Sequence, residues 1–198
     1  MGYNEIMNRE IPIEVSARHI HLSQKDLEIL FGKGYQLTKL RKLSQADDFA
    51  AKETLDVKIG SKVIEKLRIV GPVRKETQIE ISLTDAFKAG IKPVLRLSGS
   101  IKDTPGAILI KGKKKIKIKK GVIIAKRHLH CSPQQAKKLK LKNGMSVSVK
   151  VNGKRALIFH NVKVRVGEDY KLAVHFDTDE GNAAGIIKKG EGKIILKT

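Results

Sequence analysis

One cysteine, Cys131, and no tryptophan occur in a chain of 198 residues. A lone thiol excludes an internal disulfide framework and suits a reducing compartment. No apolar run approaches the ~20 residues of a membrane-spanning helix. Met1–Glu10 lacks the apolar stretch of a secretory signal, so no membrane association and a cytoplasmic location are expected. Aromatic residues make up only 4%, and 20 acidic residues face 41 basic ones, a formal net charge of +21. Such a field attracts polyanions: nucleic acid, phosphorylated cofactors, anionic surfaces. Nucleic-acid surfaces, however, interleave aromatic side chains for base stacking. Here aromatics are scarce and the lysines are spread along the chain, so a nucleic-acid partner is not expected. The 40% hydrophobic and 31% charged residues fit a globular protein with core enough for one domain or two small ones.

What the chain does have is a repeat. Val15–Ser23 reads V-S-A-R-H-I-H-L-S and Ile124–Ser132 reads I-A-K-R-H-L-H-C-S. Each copy is preceded by a strand-like segment, as in Ile11–Val15, and followed by a helix start. Ser23 and Ser132 are N-cap residues, with Asp26 and Gln135 at the capping-box position and Pro133 opening the second helix. Gly32 or Gly34 should end the first helix and Asn143-Gly144 the second. A second pair of similar segments, Ile79–Ile91 and Val174–Ile186, puts Glu80 at the place of His175. This is the signature of an internal duplication.

Most of the rest alternates apolar and polar residues, the period of a strand. Leu55–Ile59, Val63–Val70, Val147–Val151, Val162–Val166, Leu172–His175, Ile108–Ile110 and Ile116–Ile124 are expected strands. Asn152-Gly153 and Gly112 mark turns. Many short strands and few helices point to a mainly β chain with short helices, built as two related small β-barrels.

On a strand, side chains two apart share a face. His19 and His21 therefore project together, as do His128 and His130. Paired imidazoles are poorly explained by packing and well explained by a divalent cation. Glu80 completes a His-His-Glu set and His175 a three-histidine set, both used by catalytic zinc with a fourth position left open. The sixth histidine, His160, reads as structural. Cys131, on the opposite strand face from His130, reads as a buried thiol. Arg18 and Arg127 should face away from the histidines, toward the neighbouring half. Arg74 lies six residues before Glu80, and its guanidinium could clamp a phosphate or oxyanion. The Lys111–Lys120 run reads as a solvated hairpin.

Taken together, S-A-R-H-I-H-L-S, G-P-V-R-x-x-T-Q-I-E-I-S-x-T-D-A-F, R-H-L-H-x-S and H-x-D-T-D-E-x-N-A-A-G resemble the PduL-type phosphate propanoyltransferases, a phosphotransacylase family, from about Ile11 to Gly185. The resemblance implies the reversible reaction of acyl-CoA with phosphate to give acyl phosphate and CoA, with acetyl or propanoyl as the acyl group. It implies two zinc ions per chain, one on His19, His21 and Glu80 and the other on His128, His130 and His175. Arg74 would be the catalytic, phosphate-binding arginine. Ser16, Arg68 and Asn182 would contact CoA, and Arg41 or Lys42 its phosphates. It further implies a homodimer and an exchange of the first strand. One barrel would comprise 18–125 and the other 1–17 plus 126–198, with the active site between them. Few residues precede the first strand, where encapsulated members carry a targeting helix, so a cytosolic enzyme is expected rather than one packed in a microcompartment.

Two other readings compete. A metal-dependent hydrolase would need only water as the acceptor. A basic nucleic-acid-binding barrel would need no metal and would lose affinity steeply with salt.

Overall fold

The structure, a computed structural model, describes residues 3–197. In chain order its elements are β1 (Tyr3–Ser16), β2 (His19–His21), α1 (Gln24–Phe31), β3 (Lys39–Lys42), β4 (Phe49–Ile59), β5 (Lys62–Gly71), β6 (Gln78–Glu80), α2 (Leu83–Ala89), β7 (Leu95–Arg96), β8 (Ala107–Lys111), β9 (Lys114–Ile118), β10 (Val122–Ala125), β11 (His128–Cys131), α3 (Pro133–Lys138), β12 (Ser146–Val151), β13 (Leu157–Val166), β14 (Ala173–Asp177), α4 (Thr178–Ala184) and β15 (Lys189–Lys197). The mainly β architecture with short helices is as expected. No helix among the described residues is long and apolar enough to cross a membrane.

The chain divides into two compact units, one of 1–16 with 126–198 and the other of 17–125. The first is a closed barrel of strand order β1-β14-β11-β13-β12-β15. Its core is filled by the inward residues of each strand, among them Ile11, Ile13, Leu129, Val149, Val174 and Phe176. The second is a curled sheet of order β7-β10-β6-β2-β5-β4-β8-β9, with β3 added against β4. It packs over Ile20, Leu27, Leu55, Ile69, Ile79 and Leu109. The two barrels are related, but only the first closes.

The duplication is visible in the ladders. In the first unit β11 runs antiparallel to β14, with His128 opposite His175, and parallel to β13. In the second β2 runs antiparallel to β6, with His19 opposite Glu80, and parallel to β5. A strand parallel to the third-ligand strand completes each set: β1 beside β14, and β10 beside β6. Each of these strands leads directly into a His-x-His that belongs to the other unit.

Local chemistry explains where expectation and structure part. The second capped helix ends at Lys138 rather than at Asn143-Gly144. Lys140 adopts a left-handed φ of 52°, and the Leu141 amide bonds back to the Ala136 carbonyl at 2.8 Å. That pattern closes a helix; Gly144, at φ 81°, instead shapes the turn into β12. The Ile116–Ile124 run is two strands, because Gly121 breaks it at φ 124°. A Cβ there would lie 2.6 Å from the Thr77 carbonyl oxygen, so only glycine fits. Two short helices went unanticipated. In α2, Ser82 and Asp85 form a capping box and Gly90 closes the helix at φ 68°; in α4, Asp177 and Glu180 do so and Gly185 closes at φ 73°.

Candidate functional site

In the second unit β2 and β6 present His19, His21 and Glu80 on one face, their ligand atoms within 4.8 Å of one another. Both imidazoles are oriented by backbone. His19 Nδ1 lies 2.8 Å from the Ala17 carbonyl oxygen, and His21 Nδ1 3.0 Å from that of Val70. A carbonyl oxygen only accepts, so each Nδ1 carries the proton and each Nε2 presents a lone pair. These two Nε2 atoms are 3.1 Å apart. Lone pairs aimed together at that distance repel unless a cation or a proton lies between them. Zinc–nitrogen bonds of about 2.0–2.1 Å in a tetrahedral site put neighbouring nitrogens about 3.3 Å apart. The donors fit such an ion.

Glu80 is held as tightly. Its Oε1 accepts from Ser98 Oγ at 2.7 Å and from Gln78 Nε2 at 2.7 Å. The Gln78 Oε1 in turn accepts from the Gly99 amide at 2.7 Å, which ties the 98–99 loop to the strand. Oε2 is turned toward the histidines, 3.8 Å from His19 Nε2. Burial pushes the Glu80 carboxyl up, but the two imidazoles, the Ser98 hydroxyl and Arg74 outweigh it and hold the group at about 2. His21 titrates well below the usual range, because burial, His19 and Arg74 all oppose a second positive charge. Arg74 donates from Nη1 to Ser98 Oγ at 2.9 Å, so one serine links the arginine to the Glu80 carboxylate.

The first unit repeats the arrangement with His128, His130 and His175 on β11 and β14, all buried, again with ligand atoms within 4.8 Å. The His128 Nδ1 donates to the Lys126 carbonyl at 2.9 Å, as His19 does two residues after its own carbonyl partner. Ring centroids lie 4.6 Å (His128–His130), 5.0 Å (His128–His175) and 5.0 Å (His130–His175) apart. Among the described residues neither ring nitrogen of His130 meets a hydrogen-bond partner. Buried polar atoms are rarely left so, and a cation between the three rings would satisfy one of them. Burial, then the neighbouring His128, His175 and Arg165, pushes His130 down to about 2, so it is a neutral imidazole with a lone pair to offer.

The remaining residues singled out from sequence lie as follows. Ser16 ends β1 and Asn182 is exposed on α4, both in the first unit; Arg41 is exposed on β3 in the second. Arg68 on β5 spends one guanidinium nitrogen on the Ala51 and Lys52 carbonyls, at 2.9 and 2.7 Å, and so staples β5 to β4. Arg18 and Arg127 each pair with an acidic residue of their own unit. Arg18 pairs with Asp85 at 2.8 Å and Arg127 with Glu180 at 2.7 Å, each the third residue of the helix that follows its own unit's ligand strand. Cys131 is fully buried in the barrel core, and burial raises its thiol. His160 is exposed, its Nδ1 2.8 Å from Ser148 Oγ.

Sequence reasoning missed Gln78, Ser98 and Asp48. Gln78 was readable, since Q-I-E puts it on the same strand face as Glu80. Ser98 arrives from a loop, with no signal of its own. Asp48 carries a carboxyl raised by burial, and the charges of Arg74, His19 and Glu80 act on it.

A family model described as phosphate propanoyltransferase matches residues 12–187. Curated phosphate propanoyltransferases are similar over nearly the whole chain. That of Thermotoga maritima is 52% identical over 177 residues, covering 88% of this chain and 83% of its own. That of Sebaldella termitidis is 48% identical over 189 residues (95% and 89%), and that of Listeria monocytogenes 42% over 193 residues (98% and 91%). The matched span contains both candidate ligand triads, Arg74 and Ser98. The chain belongs to the phosphate propanoyltransferase family and is a phosphate acyltransferase.

Proposed function

We propose that this enzyme exchanges CoA and orthophosphate on a short acyl group, acetyl or propanoyl, by direct attack of phosphate on the thioester. The observation that supports the reading is the chain of contacts Arg74–Ser98–Glu80, which holds a guanidinium near the His19–His21–Glu80 group. The residues to hold zinc are His19, His21 and Glu80 in one unit and His128, His130 and His175 in the other. Zinc bound there would act as a Lewis acid, with a position open to a substrate oxygen.

The chain's own groups do the rest. Arg74 neutralises phosphate charge and aligns one oxygen with the thioester carbonyl carbon, which saves most of the orientational cost of a bimolecular attack. The new bond joins that oxygen to the carbonyl carbon, the C–S bond breaks, and CoA leaves as its thiolate. A thiolate leaves readily, so no strong general acid is needed. Cys131 is not the nucleophile in this scheme: it sits in the barrel core with its thiol kept protonated by burial. The excess of positive charge would draw in CoA, with Arg41, Arg68, Ser16 and Asn182 as its contacts.

The test is CoA release from acetyl-CoA and propanoyl-CoA, followed with a thiol reagent, with and without phosphate, before and after chelation. Release that requires phosphate, is abolished by chelation and is restored by zinc is expected. Phosphate-independent release would establish a hydrolase instead, and chelator-resistant release would remove the metal from the mechanism.

A further inference from the structure

Among the candidate ligands, His19, His21 and His128 each have Nδ1 aimed by a backbone carbonyl. His130 differs: among the described residues its two nitrogens have no hydrogen-bond partner, yet it is a ligand candidate in the most buried of the clusters. Something other than a hydrogen bond must fix its ring.

That something is Tyr170, on the loop between β13 and β14. Its ring stacks on His130 with centroids 4.1 Å apart and planes 25° from parallel. The Arg165 guanidinium carbon lies 5.8 Å from the Tyr170 ring centroid, within cation–π range. The loop itself is anchored. Gly167 donates its amide to the Cys131 carbonyl at 3.1 Å, and the Tyr170 amide closes the turn on the Gly167 carbonyl at 3.1 Å. Gly167 also makes room for the ring, since a Cβ there would come within 3.0 Å of a Tyr170 ring carbon. Directly across the ladder from His130 stands Ala173, whose small side chain leaves the imidazole unobstructed on that face.

We infer that Tyr170 is a positioning residue for the second metal: its ring, held by Arg165 and admitted by Gly167, sets the orientation of His130 in place of a hydrogen bond. The inference rests on the zinc reading of the His128–His130–His175 set. It predicts that the aromatic face, not the hydroxyl, matters.

The experiment uses the full chain carrying His19→Ala and His21→Ala, so that only the His128–His130–His175 set can load. Zinc affinity is measured by competition with a chromophoric chelator, and the visible spectrum of the cobalt form reports ligand geometry. Tyr170→Ala should weaken zinc binding about tenfold, the lower end of what outer-shell partners carry, and alter the cobalt bands. Tyr170→Phe should stay within about twofold of the parent with the parent's spectrum. Gly167→Ala, which displaces the ring without removing it, should fall between them and serves where Tyr170→Ala does not fold. Equal affinity and an unchanged spectrum in Tyr170→Ala would overturn the positioning role. Absence of zinc binding in the parent with an intact fold would overturn the metal reading itself, and this inference with it.

Discussion

The Ser98 hydroxyl is the most informative atom to remove. It donates to Glu80 Oε1 and accepts from Arg74, at 2.7 and 2.9 Å. Ser98→Ala leaves the buried carboxylate with Gln78 as its remaining donor on that oxygen and removes one acceptor of Arg74. A hydrogen bond to a charged group contributes about 1.5–3 kcal/mol, against about 0.5–1.5 for a neutral one. In the metal-free protein Ser98→Ala should therefore destabilise the fold by about 1.5–3 kcal/mol. In a Glu80→Gln background the charge is gone, and the same substitution should cost only the neutral value. The double-mutant cycle should then give a coupling of about 1 kcal/mol or more. Loss of an outer-shell partner should also lower zinc affinity at this set by about 10–100-fold. Urea denaturation of the four proteins in chelator supplies the first quantity, and zinc competition the second. A coupling below about 0.5 kcal/mol, the level at which independent sites already scatter, would show that Ser98 does not act through Glu80, and with unchanged zinc affinity the argument for the anchored triad fails.

Other outcomes can be stated briefly. His130, near 2, and His21, lowered in the same direction, stay neutral in the folded metal-free protein. The unfolded chain binds those protons near pH 6.5, so stability should fall as pH drops below that value. Each imidazole contributes a slope of up to about 1.4 kcal/mol per pH unit, and denaturation between pH 7.5 and 5 would show it; a flat profile would contradict the burial of neutral rings. Glu80, near 2, adds stability that is complete above its unfolded value of 4.5 and lost as pH falls toward 2. Arg74→Lys should cut kcat/KM for phosphate by about 100-fold, because a point charge cannot reproduce the planar fork; an unchanged phosphate response would remove Arg74 from phosphate binding. Cys131→Ala should keep activity within about twofold while costing about 1 kcal/mol of stability, and mass spectrometry after incubation with acyl-CoA alone should find no acyl group on the wild-type protein.

How much of this was legible beforehand depends on the range of the interaction. The i, i+2 rule is local, so the shared face of His19 with His21, and of His128 with His130, follows from spacing alone. The Gly90-Ile91 and Gly185-Ile186 anchors of the repeat then single out Glu80 and His175, which the ladders set opposite His19 and His128. The barrel class follows similarly from alternation and turn chemistry. Local signals were also present but unread in S-L-T-D and D-T-D-E, whose capping boxes start α2 and α4. Ser98 and Tyr170 are different. Each reaches its partner from a loop distant in sequence, through contacts that no periodicity encodes. The open edge of the second unit was equally illegible: whether a curled sheet closes depends on the stagger of all its strands together.

The duplicated frame also explains why the two candidate metal sets need different surroundings. One register position carries Glu80 in one unit and His175 in the other. A buried carboxylate requires hydrogen-bond donors to stay charged and aimed. The neighbouring position of the same ladder supplies one: Gln78, opposite His21, donates to Glu80. Where the third ligand is an imidazole no such donor is needed, and the matching position opposite His130 is Ala173. The alanine removes the polar partner and the bulk together, and His130 is steadied by the face of Tyr170 instead. Exchanging Glu80 for histidine alone would thus leave the Gln78 amide and the Ser98 hydroxyl without the acceptor they converge on. Each candidate metal set thus depends on its own supporting residues, and transplanting one ligand without its ladder neighbour should fail to bind metal.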